Sequence, residues 1–427
     1  MNFSKITQVF KVKELRRKLF YTFFLLIIFR IAAHIPVPGV DVENLKEFFA
    51  GNQIFGLLDI FTGGGLSKLS VVMMGVGPYI TASIIMQLLM MIFPKLEEWY
   101  REEGEEGKRK FNQITRYLTI PLAALQSYAM INMLSRGDRP AITNLTPFNL
   151  ATTVISVIAG TMFLVWIGEL ITEYGIGNGV SLIIFGGIIA GLPMSIQQNV
   201  LLITGAVDLI KFLAYIGVLV LMVIGVVIIT QGQRNIPVSY ARRIRGNKMY
   251  GGVSTHLPLR VNTAGVIPII FAMSVMLFPG VVANFLVNAS NEIIAKAANY
   301  VAGLFKDQAF YASLYFMLVV AFTYFYTAII FEPKSIAENL QKQGGFIPGK
   351  RPGSQTAEYL SRVINRITLA GALFLGGIAI MPFALEYFTG IKNMTLEGTA
   401  LLIVVSVIIE TVKQVQAQLV MRDYEGF

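Results

Sequence analysis

Ten apolar runs, most of them long enough to cross a bilayer, follow one another along this 427-residue chain. They lie at about 19–35, 69–93, 115–134, 151–173, 179–197, 210–230, 262–287, 308–331, 366–388 and 398–415. About 20 helical residues cover the roughly 30 Å of hydrocarbon in a membrane, and backbone polar groups there must be satisfied within the segment. With 55% hydrophobic and only 14% charged residues, the chain departs from soluble averages. The expectation is an all-α polytopic membrane protein of ten transmembrane helices.

The loops between the runs alternate in charge. Residues 1–18 carry Lys5, Lys11, Lys13, Arg16, Arg17 and Lys18 against the single acid Glu14, and segments 94–116, 231–260 and 332–366 are also basic. Segments 40–68, 135–150, 198–209, 288–307 and 389–397 hold few Lys or Arg. By the positive-inside rule both termini are expected in the cytoplasm. The first run leads to Pro36 and Pro38 without a small-residue cleavage site, so it reads as a retained span rather than a signal peptide. Ten spans divide five and five, residues 1–206 and 207–427, and an odd number per half inverts the second half. Inverted halves place the working path at their interface and often use interrupted helices.

One such interruption is visible. Ile54 to Phe61 is too short to span, the Gly63-Gly64-Gly65 break follows, and a full-length apolar run begins at Leu69. The short piece is re-entrant, interfacial or buried, and belongs to the outer loop. GIGNG at 175–179 reads either as a tight turn joining two membrane helices or, far more weakly, as a phosphate cradle.

The chain lacks the groups that enzymes and ion-coupled transporters need. There is no cysteine, and the two histidines, His34 and His256, stand far apart, without metal-ligand spacing. GxxxxGK[ST], HExxH and GxSxG are absent. Glu169, Glu332 and Glu410 fall near cytoplasmic span ends and Arg30 near an outer one, where snorkelling or capping competes with a coupling role. No cofactor is expected, and work against a gradient requires an external motor. Near mid-membrane, Val76 and Ile80, and Val180 and Ile184, are each one helical turn apart, which suits lipid contact, core packing or a pore wall. Thr81 and Gln87 could hydrogen-bond between helices for about 0.6 kcal/mol.

Two loops invite partners. Residues 231–260 contain six Lys or Arg and no acid, with Arg242, Arg243 and Arg245 in mid-loop, and residues 344–360 present Lys350 and Arg351 among glycines and prolines. They read either as topology signals or as a docking surface for an acidic partner, RNA being the obvious polyanion.

Six blocks then resemble, in order, the SecY family of protein-conducting channel subunits: MGVGPYITASIIMQLL, EEGEEGKRKFNQITRY, EYGIGNGVSLIIFGGIIAGLP, STHLPLRVNTAGVIPIIFA, GKRPGSQTAEYL and LLIVVSVIIETVKQVQAQ. The resemblance implies two inverted halves around a central hourglass pore in the bacterial cytoplasmic (inner) membrane. It implies an aliphatic constriction ring of Val76, Ile80, Val180, Ile184, Ile270 and Ile403; family rings are richer in isoleucine. It implies a movable plug, Gly56-Leu57-Leu58-Asp59-Ile60-Phe61-Thr62-Gly63-Gly64-Gly65-Leu66-Ser67, and a lateral gate at Thr81, Gln87, Ser274 and Phe278. The basic loops, with Arg242, Arg243, Arg245, Lys350 and Arg351, would dock the SecA ATPase or a ribosome; SecE would clamp the halves and SecG lie at the periphery. Substrates would be signal sequences and unfolded preproteins, with membrane lipid receiving released segments. A secondary transporter would need a polar midplane site, and an intramembrane enzyme a catalytic pair; neither is found.

Overall fold

A computed structural model describes residues 11–37, 62, 64–66, 68–135, 146–201, 205–240, 243–245, 248–250, 254–286, 291–389 and 398–425. Its helices are α1 (Lys13–Ala32), α2 (Gly77–Ile92), α3 (Pro94–Arg101), α4 (Gly104–Ser135), α5 (Pro147–Tyr174), α6 (Gly179–Leu201) and α7 (Ala206–Gln231), then α8 (Ile267–Leu286), α9 (Glu292–Lys306), α10 (Gln308–Ile330), α11 (Pro333–Lys342), α12 (Ser354–Thr389) and α13 (Gly398–Glu425). Five strands, β1 (Gln233–Tyr240), β2 (Arg243–Arg245), β3 (Lys248–Tyr250), β4 (Ser254–Arg260) and β5 (Gly345–Phe346), lie outside the apolar runs. The chain is helical as expected, with this β structure added.

Among the described residues, five helical stretches are long and apolar enough to cross a membrane, and a sixth is if α2 and α3, bent by 114° at their junction, count together. The other expected crossings are weaker for visible reasons. α1 begins with Lys13, Arg16, Arg17 and Lys18, and α4 is diluted by Gln126, Ser127 and Asn132. The apolar parts of α6 and α8 are short, Gly179–Pro193 and Ile267–Met276. Hydroxyls inside the apolar helices bond back to the preceding turn: Thr119 on α4 donates to the Thr115 carbonyl at 2.8 Å and Thr327 on α10 to that of Thr323 at 2.7 Å. A polar side chain is thereby satisfied where water is absent.

The chain divides into two compact units: residues 1–210, 274–307 and 391–427 form one, and residues 211–273 and 308–390 the other. In the first, α4 packs on α2 and α5, α6 on α5 and α13, and α1 on α5 and α6. Thr146 caps α5 by accepting from the Asn149 amide, with Pro147 already fixed in the first turn.

The second apolar run does not become one helix from residue 69. Residues 69–76 form buried turns, and α2 starts only at Gly77, with Pro78 in its first turn. Leu69 and Gly75 have φ of 39° and 55°, which helical backbone excludes. The turns are fastened to the end of α1, where the Val37 amide donates to the Leu69 carbonyl at 2.8 Å and the Val71 amide to that of Ile35 at 2.9 Å. Leu66, Leu69 and Met73 are buried against Met130, Ile131, Leu134 and Val157. Gly160 on α5 admits this segment, since a Cβ there would lie 2.7 Å from the Val71 carbonyl carbon and closer still to its oxygen. Gly160→Ala should therefore push residues 69–76 outward at a cost of about 1–3 kcal/mol. Faster amide exchange confined to that segment is the expected readout.

In the second unit α10 packs along α12, and Phe271 makes edge-on contacts with Phe322 and Tyr326 at 5.9 Å each. The strands form an antiparallel sheet in the order β4-β1-β5, with Ile236 opposite Leu257 and Tyr240 opposite Gly345; β2 and β3 make a separate pair. Ile236, Val238 and Leu259 share one buried cluster with Ile347, Leu360, Val363 and Ile364. The β1 and β4 arms of the first basic loop are thus one body with the second basic loop, cored by its own aliphatic side chains.

Candidate functional site

The aliphatic positions at the start of α2 and α6 are set by backbone breaks. Val76 is the residue immediately before α2, and the Ile80 amide donates to its carbonyl at 3.0 Å, so the two begin one helical turn. Val76, Ile184 and Ile403 are buried, while Ile80 and Val180 are half-buried. Ile403 lies on α13, which packs against α6. Val180 rests against α5, since a Cβ on Gly168 would meet its side chain at 3.2 Å. Ile270 is buried in the second unit, next to Phe271.

Of the segment expected to act as a plug, Thr62, Gly64, Gly65 and Leu66 are described. Gly56, Leu57, Leu58, Asp59, Ile60, Phe61, Gly63 and Ser67 lie outside the described residues. Thr62 is buried and its hydroxyl accepts from the Leu66 amide at 3.1 Å. It stands beside Gly75, where a Cβ would be 3.4 Å from the Thr62 Cα. The end of this segment therefore seats next to Val76.

The GIGNG segment is a turn in which the amides of Gly175, Ile176 and Gly179 are already taken, that of Gly175 by the Ile171 carbonyl at 2.8 Å. The Thr22 hydroxyl on α1 accepts from the Ile176 amide at 3.2 Å, the Thr172 hydroxyl from the Gly179 amide at 2.9 Å, and the Asn178 side chain from the Ser181 amide at 3.2 Å. A phosphate cradle needs such amides free, so the turn reading stands. These capping residues were invisible to a reading based on glycine alone; the polar TxxxxxN spacing before α6 was the available signal.

Thr81 donates to the Gly77 carbonyl at 3.1 Å and receives the Gln126 amide at 3.5 Å, so it does bond between helices, though to α4. Gln87 donates instead within its own helix, to Ser83 at 3.3 Å. Ser274 is half-buried on α8; Phe278 lies on the same helix, and its side chain is outside the described residues. Glu169 pairs with Arg116 on α4 at 3.1 Å, joining two neighbouring helices. Glu332 precedes α11 and makes no side-chain cap to it, whereas Glu410 is exposed.

Lys350 and Arg351 occupy an exposed tip between Gly349 (φ 80°) and Gly353 (φ 94°). The Lys350 ammonium lies 5.6 Å from the Tyr359 ring centroid, and the Arg351 carbonyl accepts from Thr356 at 2.8 Å. Among the described residues neither makes an ion pair. Both precede the first turn of α12, where the helix dipole already disfavours cations by about 0.3–1 kcal/mol. The Lys350 charge is offset by the Tyr359 ring face, whereas that of Arg351 is held against the dipole and offered outward. Arg243 pairs with Tyr250 and Arg245 with Lys248 in the β2–β3 register; Arg242 lies outside the described residues.

The SecY family model matches residues 70–412. The chain belongs to the SecY family. A SecY-family protein translocase subunit of Thermotoga maritima is 42% identical over 98% of this chain and 96% of its own length. Among solved structures, a SecY channel described for its plug domain, which stabilises the closed state and maintains a membrane seal, matches with a TM-score of 0.63 at 20% identity, covering 94% of this chain and 91% of that one. Sec61 in the canine ribosome–channel complex of the endoplasmic reticulum matches with a TM-score of 0.60 at 18% identity, covering 94% and 91%. The fold is that of the SecY and Sec61 channels, and the chain is a multi-pass membrane protein.

Proposed function

We propose that this chain is a protein-conducting channel that passes unfolded secretory polypeptides across a membrane and releases transmembrane segments sideways into lipid. The observation that carries the reading is 42% identity, over 98% of the chain, to a protein translocase subunit. The channel does no covalent chemistry of its own; a motor or a ribosome supplies the energy. Sec61, of the same fold, occurs in a ribosome complex.

Within that reading, residues 1–206 and 207–427 are two halves, both termini face the cytoplasm, and the membrane is the bacterial inner one. Val76, Ile80, Val180, Ile184, Ile270 and Ile403 make the constriction. An apolar bore sheds water and so blocks ions, yet offers a sliding peptide no strong binding site. The burial of Val76 and Ile184 and the seating of Thr62 beside Gly75 support a dry resting seal with the plug, residues 56–67, against it. Thr81, Gln87, Ser274 and Phe278 border the sideways exit. Arg242, Arg243, Arg245, Lys350 and Arg351 receive the SecA ATPase or ribosome, with SecE and SecG as membrane companions.

Ile80→Asn combined with Ile270→Asn should raise resting ion conductance in planar bilayers on the order of tenfold, because amides hold water in the bore. An unchanged resting conductance would remove these residues from the seal.

A further inference from the structure

Beyond the channel itself, α9 (Glu292–Lys306) has an apolar face that the described residues leave uncovered. Its 15 residues reach only about 22 Å at roughly 1.5 Å each, short of the roughly 30 Å of hydrocarbon a span must cross. The helix is nevertheless well closed. Asn291 caps it by accepting from the Ile293 amide at 3.0 Å, and Lys296 pairs with Glu292 at 2.6 Å. Its side chains fall into three stripes. Glu292, Lys296 and Asn299 make an exposed polar edge. Ala298, Val301 and Phe305 face the protein: Ala298 is buried, and a Cβ on Gly280 of α8 would meet the Phe305 ring at 3.9 Å. The third stripe, Ile293, Ala297, Tyr300 and Leu304, stands at i, i+4, i+7 and i+11. Ile293 is 79% and Tyr300 71% exposed.

We propose that α9 lies flat in the membrane interface at the surface where α10 begins, with the Ile293–Ala297–Tyr300–Leu304 stripe turned into lipid. Chain connectivity sets its height. Only Asp307 separates α9 from α10, which is long and apolar enough to cross the membrane, so the facing ends of the two helices lie within about 8 Å of each other. An amphipathic helix held there sinks about 5–10 Å into the boundary between headgroups and acyl chains. Tyr300 suits that boundary, with an apolar ring and a hydroxyl that stays wet. In water the same stripe would stand exposed over about three turns of helix, a liability that lipid removes. Charge contributes little, because Lys296 and Glu292 cancel within one pair; α9 meets the apolar boundary of the lipid rather than an anionic headgroup. Through Phe305 and Gly280 it ties α8 to the membrane surface. The inference requires only that the chain spans a membrane, so it survives or fails apart from the channel reading.

The chain has no cysteine, so single-cysteine variants of the full-length protein can be labelled at one place only. Ala297→Cys and Asn299→Cys, each carrying an environment-sensitive fluorophore and reconstituted into phosphatidylcholine vesicles, test the proposal. Both positions are exposed, so neither label disturbs a packed core. Lipids brominated near the headgroup end of the acyl chain should quench the label at 297 about fivefold more than the label at 299, and iodide on both sides of the vesicle should do the reverse. Adding Tyr300→Asp should remove most of the lipid quenching at 297, since a carboxylate resists entry into the boundary. Exchanging phosphatidylcholine for phosphatidylglycerol should leave that quenching unchanged. Equal quenching of the two labels, by lipid or by iodide, overturns the proposal, because the helix then stands in water or is sunk on all sides. Failure of both quenchers at 297 overturns it too, since protein then covers the stripe. Lipid quenching that appears only with phosphatidylglycerol overturns the apolar basis of the contact.

Discussion

Gly179→Ala should lower the stability of the first unit by about 3 kcal/mol or more, among the larger effects a single methyl group can have. The Cβ would lie 2.7 Å from the Gly168 carbonyl carbon and 2.9 Å from its Cα, closer still to the oxygen, and none of these atoms belongs to a flexible side chain. α5 and α6 would have to separate. The Thr172 hydroxyl, which donates to the Gly168 carbonyl within α5, would keep that bond but lose the one it accepts from the Gly179 amide. A sharply lowered melting midpoint in detergent is the measurement. Gly191→Ala, on the same helix with open space around its Cβ, is the control and should be close to neutral. If both variants melt alike, the close approach of α5 to α6 is not what holds this unit.

Arg351→Glu is expected to abolish ATP-driven export of a preprotein while leaving the membrane fold unchanged. The side chain is exposed and free of ion pairs among the described residues, so little is lost structurally. Reversing its sign should even favour α12, since a carboxylate suits a helix N-terminus. The effect on a partner is opposite in direction. A cation that meets an acidic surface becomes a like charge, and such juxtaposition costs several kcal/mol at an interface. Reconstituted vesicles with purified ATPase provide the assay, and Arg351→Lys should retain part of the activity. Normal export by the Glu variant would remove the tip from the docking surface. A destabilised Glu variant would contradict the reading that the charge is held there against local stability.

The helical architecture was legible because bilayer thickness dictates the length of an apolar run, and the six family blocks carried the rest. Three features escaped for physical reasons. The start of α2 was masked because Leu69–Val76 is as apolar as a helix; only the glycines at 75 and 77 and Pro78 hinted that the backbone would turn first. The β1–β4 hairpin was masked by its charge. Ile236 and Val238, like Leu257 and Leu259, alternate with polar residues or proline at a period of two, the pattern of a half-buried strand. Reading the loop for Lys and Arg passed over that alternation. The partners of Thr81 and Glu169, Gln126 and Arg116, are 45 and 53 residues away, and no local spacing brings such pairs together.

The shared core of the sheet, α11 and the start of α12 has a mechanical consequence. Leu360 is fully buried within it, and Tyr240 on β1 pairs directly with Gly345, five residues before Lys350. A free loop, tugged at its tip, would peel away residue by residue and transmit almost no force. Here a grip on Lys350 and Arg351 loads the whole core in shear, and the load passes straight into α12, a continuous helix of 36 residues. The tip is the handle of a lever whose long arm lies in the membrane.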